Sequence, residues 1–384
     1  MLPGASLPFE LIILILESLP NTDTTTLASC ALVCRSWVPI SRSILFRHIN
    51  LTTAPESLLG LLSHPLQSIT SARVEFLTVT HTRYSPATFN KLLTWTHNDD
   101  RHGQMSLSDT LPHLKNLSLN WVGWWTLCVE AKDTLLRDFR GVTHLSLRMT
   151  AFDTIDDFLP LIESFPELEI LELDGVRPAL NWDSLAEGTG TGVGVRKRSL
   201  KNLSLKQIED PRIIRFLVPF CWALEELECW YAEVEGMPST CIGAIQKVVV
   251  AAGDALKGFT FQVEEGSGGM RDGIALDLTH NTNLRALSLP PYHLLPTLEL
   301  FTKCRYPPGL VSLCLTSLKY AELDWERLDV LLGCHYAFRS VEAICMRLEA
   351  RTLGAGIGEE VAIHSEIDLR NAMPRCWTRG ILRV

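Results

Sequence analysis

A six-residue pattern, L-x-x-L-x-L with apolar variation, recurs nine times and constrains the fold more than any other feature. The copies are LKNLSL from Leu114, VTHLSL from Val142, LEILEL from Leu168, LKNLSL from Leu200 and LEELEC from Leu224. LKGFTF from Leu256, LRALSL from Leu284, LVSLCL from Leu310 and VEAICM from Val341 complete the set, and a weaker VEFLTV starts at Val74. Neighbouring copies of the nine start 24 to 32 residues apart. In each copy the last two apolar positions alternate with polar ones, which predicts a short strand with one buried face. Helical spacing fills the gaps. FDTIDDFLPLIESF sets Ile155, Phe158, Leu159, Ile162 and Phe165 on one stripe, and RIIRFLVPF and CIGAIQKVVVAAG behave alike. One strand and one helix cannot bury their apolar faces alone. The units must stack, with parallel strands on one side and helices on the other.

That period overlaps the upper end of the leucine-rich-repeat range. The expected class is α/β: a motif of short helices over 1–50, connecting helices and a degenerate first repeat over 51–110, and an irregular leucine-rich-repeat solenoid over 111–384. The position three residues past the last leucine holds Val122, Thr150, Val176, Ile208, Ala232, Glu264, Tyr292, Leu318 and Glu349. No asparagine ladder is therefore expected to tie the turns. Glu187 to Ser199 and Glu264 to Gly273 are Gly-rich and polar, and read as mobile excursions.

The N-terminal fifty residues follow other rules. SLPFELIILILESLPN is polar between Phe9 and Leu19 only at Glu10, Glu17 and Ser18. This run is about half the ~20 residues a bilayer span needs, and no basic region precedes it, so neither membrane span nor signal peptide is expected. Pro8 suits a first helical turn, Ser6 is a candidate cap, and Pro20 ends the helix. Asp23 is placed to cap a second helix, TTTLASCALVCRSW, with Leu27, Cys30, Ala31, Cys34 and Trp37 or Val38 in helical spacing. Pro39 marks a break before a third, ISRSILFRHI. Leu11, Ile12, Leu14, Ile15, Leu16 and Leu19 exceed what two other short helices can cover. Either the rest of the chain or another protein must cover the remainder.

The stretch resembles the F-box motif in the form common in fungal F-box proteins. The matching features are Leu7-Pro8, Glu10-Leu11-Ile12, Ile15, Leu19, Leu27 and Val33-Cys34-Arg35-x-Trp37. In that family three helices dock on a Skp-type adaptor, which links them to a cullin-RING ubiquitin ligase. The resemblance implies Leu7, Pro8, Leu11, Ile12, Ile15, Leu19, Val33, Cys34 and Trp37 as adaptor-facing residues. Which of them face the motif's own core stays open from sequence.

Chemistry-bearing motifs are sparse. A net charge of −9 argues against nucleic acid as the main partner. The 11 cysteines are odd in number and lack a CxxC pair, which fits reduced thiols of the cytosol or nucleus better than a secreted disulfide framework. Cys30 and Cys34 lack further ligands nearby and read as packers, so no metal and no cofactor is expected. Asn50, Asn116 and Asn202 each begin an N-x-[ST] sequon that would stay unused there. GTGTGVG does not follow a strand and open a helix, as a dinucleotide site requires. RKR at Arg196 to Arg198 is short for a localisation signal. Asp156-Asp157 and Glu359-Glu360 are adjacent, so neither pair converges on one site.

The functional expectation is a non-enzymatic substrate receptor. Its F-box binds the adaptor, and its repeat array binds an unknown target protein through outward strand positions. Those positions are Asn116/Ser118/Asn120, His144/Ser146/Arg148, Glu172/Asp174, Asn202/Ser204/Lys206, Glu226/Glu228/Trp230 and Thr260/Gln262. Arg148, Glu172, Asp174, Lys206, Glu228 and Trp230 are the candidate substrate contacts. Two alternatives remain: a scaffold outside any ligase, and an enzyme with an unrecognised site.

Overall fold

The computed structural model describes residues 8–19, 23–51, 55–63, 73–80, 86–99, 103–178, 200–208, 210–231, 239–263, 275–305, 307–316, 324–347 and 370–383. Both Gly-rich excursions, Ser6 and Leu7 lie outside these residues. The contacts divide the chain into two units, one of residues 1–172 and 176–191, the other of 173–175 and 192–384.

The first unit opens with three helices, α1 (Phe9–Glu17), α2 (Thr24–Ala31) and α3 (Trp37–Leu45). Asp23 caps α2, accepting from the Thr26 N–H at 3.0 Å. α2 is shorter than its apolar spacing predicts: it stops at Ala31, and Trp37 instead begins α3. Pro39 does not break the chain. It sits in the first turn of α3, where backbone N–H groups have no intrahelical acceptor to lose. Ile12, Leu16 and Ile40 form the core of this motif, with Ile13, Leu19, Cys30, Trp37 and Ile44 packed on it.

The third helix ends earlier than expected, and β1 (His48–Leu51) follows two residues later. β1 pairs in parallel with β2 (Phe76–Thr80), the weak repeat copy. β5 (Asn116–Asn120), β6 (His144–Arg148) and β8 (Ile170–Asp174) continue the sheet, in the order β1-β2-β5-β6-β8. Helices α4 (Pro55–Leu62), α5 (Pro86–Leu93), α7 (Val129–Arg137) and α8 (Ile155–Ser164) lie between strands in the chain. An antiparallel hairpin, β3 (Thr96–Asp99) with β4 (Gly103–Ser106), and short α6 (Leu107–Thr110) interrupt the period, and a separate short parallel pair joins β7 (Ala151–Phe152) to β9 (Arg177–Pro178). The pairs Leu117/Leu119 and Leu145/Leu147 are buried. Trp124, Phe152 and Phe158 pack beside them, successive ring centroids 5.3 Å apart. The Trp124 Nε1–H donates to Asp157 at 2.9 Å.

The second unit repeats the scheme. β10 (Asn202–Lys206), β11 (Glu226–Tyr231), β12 (Gly258–Val263), β13 (Ala286–Leu289), β14 (Ser312–Thr316), β15 (Ala343–Arg347) and β16 (Leu382–Arg383) are neighbours in chain order, all parallel. Between them run α9 (Pro211–Leu217), α10 (Ser239–Ala252), α11 (Pro291–Thr302), α12 (Trp325–Cys334) and α13 (Pro374–Thr378). Asp329 of α12, buried, accepts from the N–H groups of Arg375 and Cys376 at 3.2 and 2.9 Å, holding α13 in place.

Corners of the array are tied through the main chain. After four strands comes a left-handed residue: Trp121 (φ 62°), Met149 (φ 49°), Gly175 (φ 62°) and Gln207 (φ 53°). This corner turns the N–H toward the next strand. Trp121 donates to the Arg148 carbonyl, Gly175 to Lys206 and Gln207 to Trp230, each at 2.8 Å. Val122, Thr150, Val176 and Ile208, at the position a ladder asparagine would take, are buried instead. A main-chain ladder replaces the side-chain one.

Candidate protein-docking surfaces

The helix period of α1 sorts its apolar residues into two faces. Ile12, Leu16 and Leu19 turn inward with Trp37. Leu11, Leu14 and Ile15, spaced i, i+3 and i+4, turn out and are 45%, 61% and 46% exposed. At the end of α2, Leu32 is 87% and Val33 64% exposed. Pro8 and Cys34 are also exposed. The Cys34 thiol lies 3.0 Å from the Ser36 hydroxyl, and that hydrogen bond draws its pKa below the usual thiol value.

Among the nine residues the resemblance implied, then, Pro8, Leu11, Ile15, Val33 and Cys34 lie outside, and Ile12, Leu19 and Trp37 belong to the motif's core. Leu14 and Leu32 were not among the nine, yet they are among the most exposed apolar residues. The phase of α1 against Ile40 decides which stripe is buried, and that phase is not local to α1.

The strand surface can be placed residue by residue. In the first unit Asn116, Ser118 and Asn120 are register partners of His144, Ser146 and Arg148. Arg148 is exposed, and Glu172 has its carboxylate 3.4 Å from the His144 imidazole. In the second unit Asp174 is half-buried, and Lys206 is the register partner of Trp230. Glu228 accepts from the Ser204 hydroxyl at 3.0 Å and lies 3.5 Å from the Lys206 ammonium. Lys206 and Glu228 thus engage each other, and the half-buried Trp230 stands in the neighbouring row. The Glu226 carboxylate lies over Gly258, in space a Cβ would need. Burial, and next the charge of Glu225, push its pKa up. No cluster of three or more metal-ligating side chains occurs among the described residues.

Together these features define a protein of two parts, an F-box-like domain and a parallel-strand repeat sheet with helices. The F-box-like family model matches residues 5–52, so the chain carries that domain at its N-terminal end. No curated protein matches the sequence. Among solved structures, the leucine-rich-repeat protein LIC12759 of Leptospira interrogans is similar at 13% identity, covering 78% of this chain and 72% of its own, with a TM-score of 0.31.

Proposed function

We propose that the protein is the substrate-recognition subunit of a Skp–cullin–F-box ubiquitin ligase, working in the cytoplasm or nucleus. The observation that carries the reading is the outward stripe Leu11, Leu14 and Ile15, with Leu32 and Val33, on a domain that matches the F-box-like model. Apolar side chains gathered on a motif this small mark a surface that a partner covers. A Skp-type adaptor is the kind of partner F-box domains bind. The strand faces, carrying Arg148 and Glu172 in one unit and Asp174, Lys206, Glu228 and Trp230 in the other, are the proposed contacts for the target protein. The role needs no catalytic residue. A receptor raises the local concentration of target lysines near the ubiquitin carrier.

Co-expression with a Skp-type adaptor, then size exclusion and a cullin pull-down, tests the reading. The expected result is one complex containing all three proteins. Adaptor binding without cullin points to the scaffold reading instead. A monomer indifferent to the adaptor overturns both.

A further inference from the structure

We propose that Cys314 and Cys345 form a reversible oxidative-modification site, a dithiol on the strand face of the second unit that closes on exchange with a small-molecule disulfide. The two residues are direct register partners on the parallel strands β14 and β15. Leu313, Leu315 and Ile344, their neighbours in sequence, are buried. Strand alternation therefore sets both thiols on the opposite, outward face, where both are half-buried.

Neighbouring strands run about 4.8 Å apart. A disulfide accepts Cα separations of about 4.4–6.8 Å, so the pair meets the Cα requirement. Side chains on parallel strands stand side by side, which keeps the Cβ atoms about as far apart as the Cα atoms. That exceeds the roughly 3.8 Å of a relaxed bridge. Closure must draw the strands together, and an accessible bridge of this kind is readily reduced again. Access is partial, since both thiols are half-buried. Buried Ser288 is the partner of Cys314 on its other side, Arg383 is the partner of Cys345 on its other side, and the small residues Ser312 and Ala343 pair one row away. The core cysteines differ. Burial raises the thiols of Cys221 and Cys376 to about 12, and that of Cys229 further, leaving no nucleophilic thiolate at neutral pH.

The exchange balances with glutathione disulfide as the oxidant. One cysteine thiolate attacks a glutathione sulfur, forming a mixed disulfide and expelling glutathione thiolate. The second cysteine thiolate then attacks the protein sulfur of that bond and expels the other glutathione. The two cysteines lose two electrons and two protons, and glutathione disulfide becomes two glutathiones. The site depends only on the register of β14 and β15, whatever the array binds.

Peptide mass mapping of the full chain in glutathione buffers tests it. The mapping is run on the natural sequence and on a variant with Cys34→Ser and Cys334→Ser, which removes the two exposed thiols. Expected in both is a linked pair of peptides joining Cys314 to Cys345, about 2 Da lighter for the hydrogens lost. At least half the chain should carry it in the most oxidising buffer, and excess glutathione should reverse it. Cys345→Ser should divert the reaction to a mixed disulfide on Cys314. No linked pair at any buffer ratio in a folded chain would overturn the site. So would linkage of Cys314 to another cysteine, or no adduct on Cys314 in Cys345→Ser.

Discussion

Replacing Leu11, Leu14 and Ile15 together by serine separates binding from folding. Their exposures add to about one and a half fully exposed side chains. Burying one such side chain contributes about 1.5–3 kcal/mol. Complete cover by the adaptor is therefore worth about 2–4.5 kcal/mol, and serine forfeits most of it. The adaptor affinity should fall by roughly two to three orders of magnitude. Because the three are exposed, each change should cost the fold no more than about 0.5 kcal/mol. Leu16→Ala, one residue further on, is the reference. Leu16 is fully buried against Ile12 and Ile40, so truncation should cost about 2–5 kcal/mol of stability. Isothermal titration calorimetry with the adaptor reads binding, and thermal melting reads the fold. If the triple variant binds within about twofold of the natural chain, the stripe is not the docking face. If it melts like Leu16→Ala, the stripe is core, and the assignment of faces is wrong.

Other consequences are open to measurement. Asp329→Ala leaves the Arg375 and Cys376 N–H groups without their acceptor and should cost about 2–3 kcal/mol, with hydrogen exchange accelerating first over Pro374–Thr378. Met149→Gly relieves a left-handed residue and should stabilise by about 0.5–1 kcal/mol; Gly175→Ala should cost about 1 kcal/mol, both read by chemical denaturation. The raised pKa of Glu226 means that its protonated form is the one the fold favours. Its contribution is complete below the unfolded carboxylate value of about 4.3 and is lost as pH rises through the raised one. Glu226→Gln should therefore raise the melting temperature more at neutral pH than near pH 4, and an equal shift at both would refute the assignment.

All nine repeat copies became strands, each starting two residues after the first apolar residue of its copy. This was legible because alternation is local, and the buried pairs such as Leu203/Leu205 and Leu313/Leu315 carry it outright. β1 was not legible. ISRSILFRHI has apolar residues at helical spacing, and only pairing with β2, some 28 residues on, makes His48–Leu51 a strand. The β3–β4 hairpin was missed because THND and GQMS hold almost no apolar alternation. The main-chain ladder is illegible in the sequence for a different reason. Trp121, Met149 and Gln207 are poor signals for a left-handed corner, which usually favours Gly or Asn. On α1 the sequence marks the apolar residues but not the phase that separates buried Ile12 and Leu16 from exposed Leu11, Leu14 and Ile15.

β1 has a mechanical meaning. It follows α3 after two residues and hydrogen-bonds along its whole length to the first repeat strand. Arg47, between them, adds an ion pair to Glu75 at 2.8 Å, and its carbonyl accepts from the Glu75 and Phe76 N–H groups. The F-box-like helices are thus tied to the repeat sheet of the first unit by a strand paired within it. In the proposed role, a receptor of this build would not search for lysines by swinging on its F-box. Reach must come from the target or from the ligase, and lengthening the joint between Leu45 and His48 by glycines would trade a defined lysine for a scatter of them.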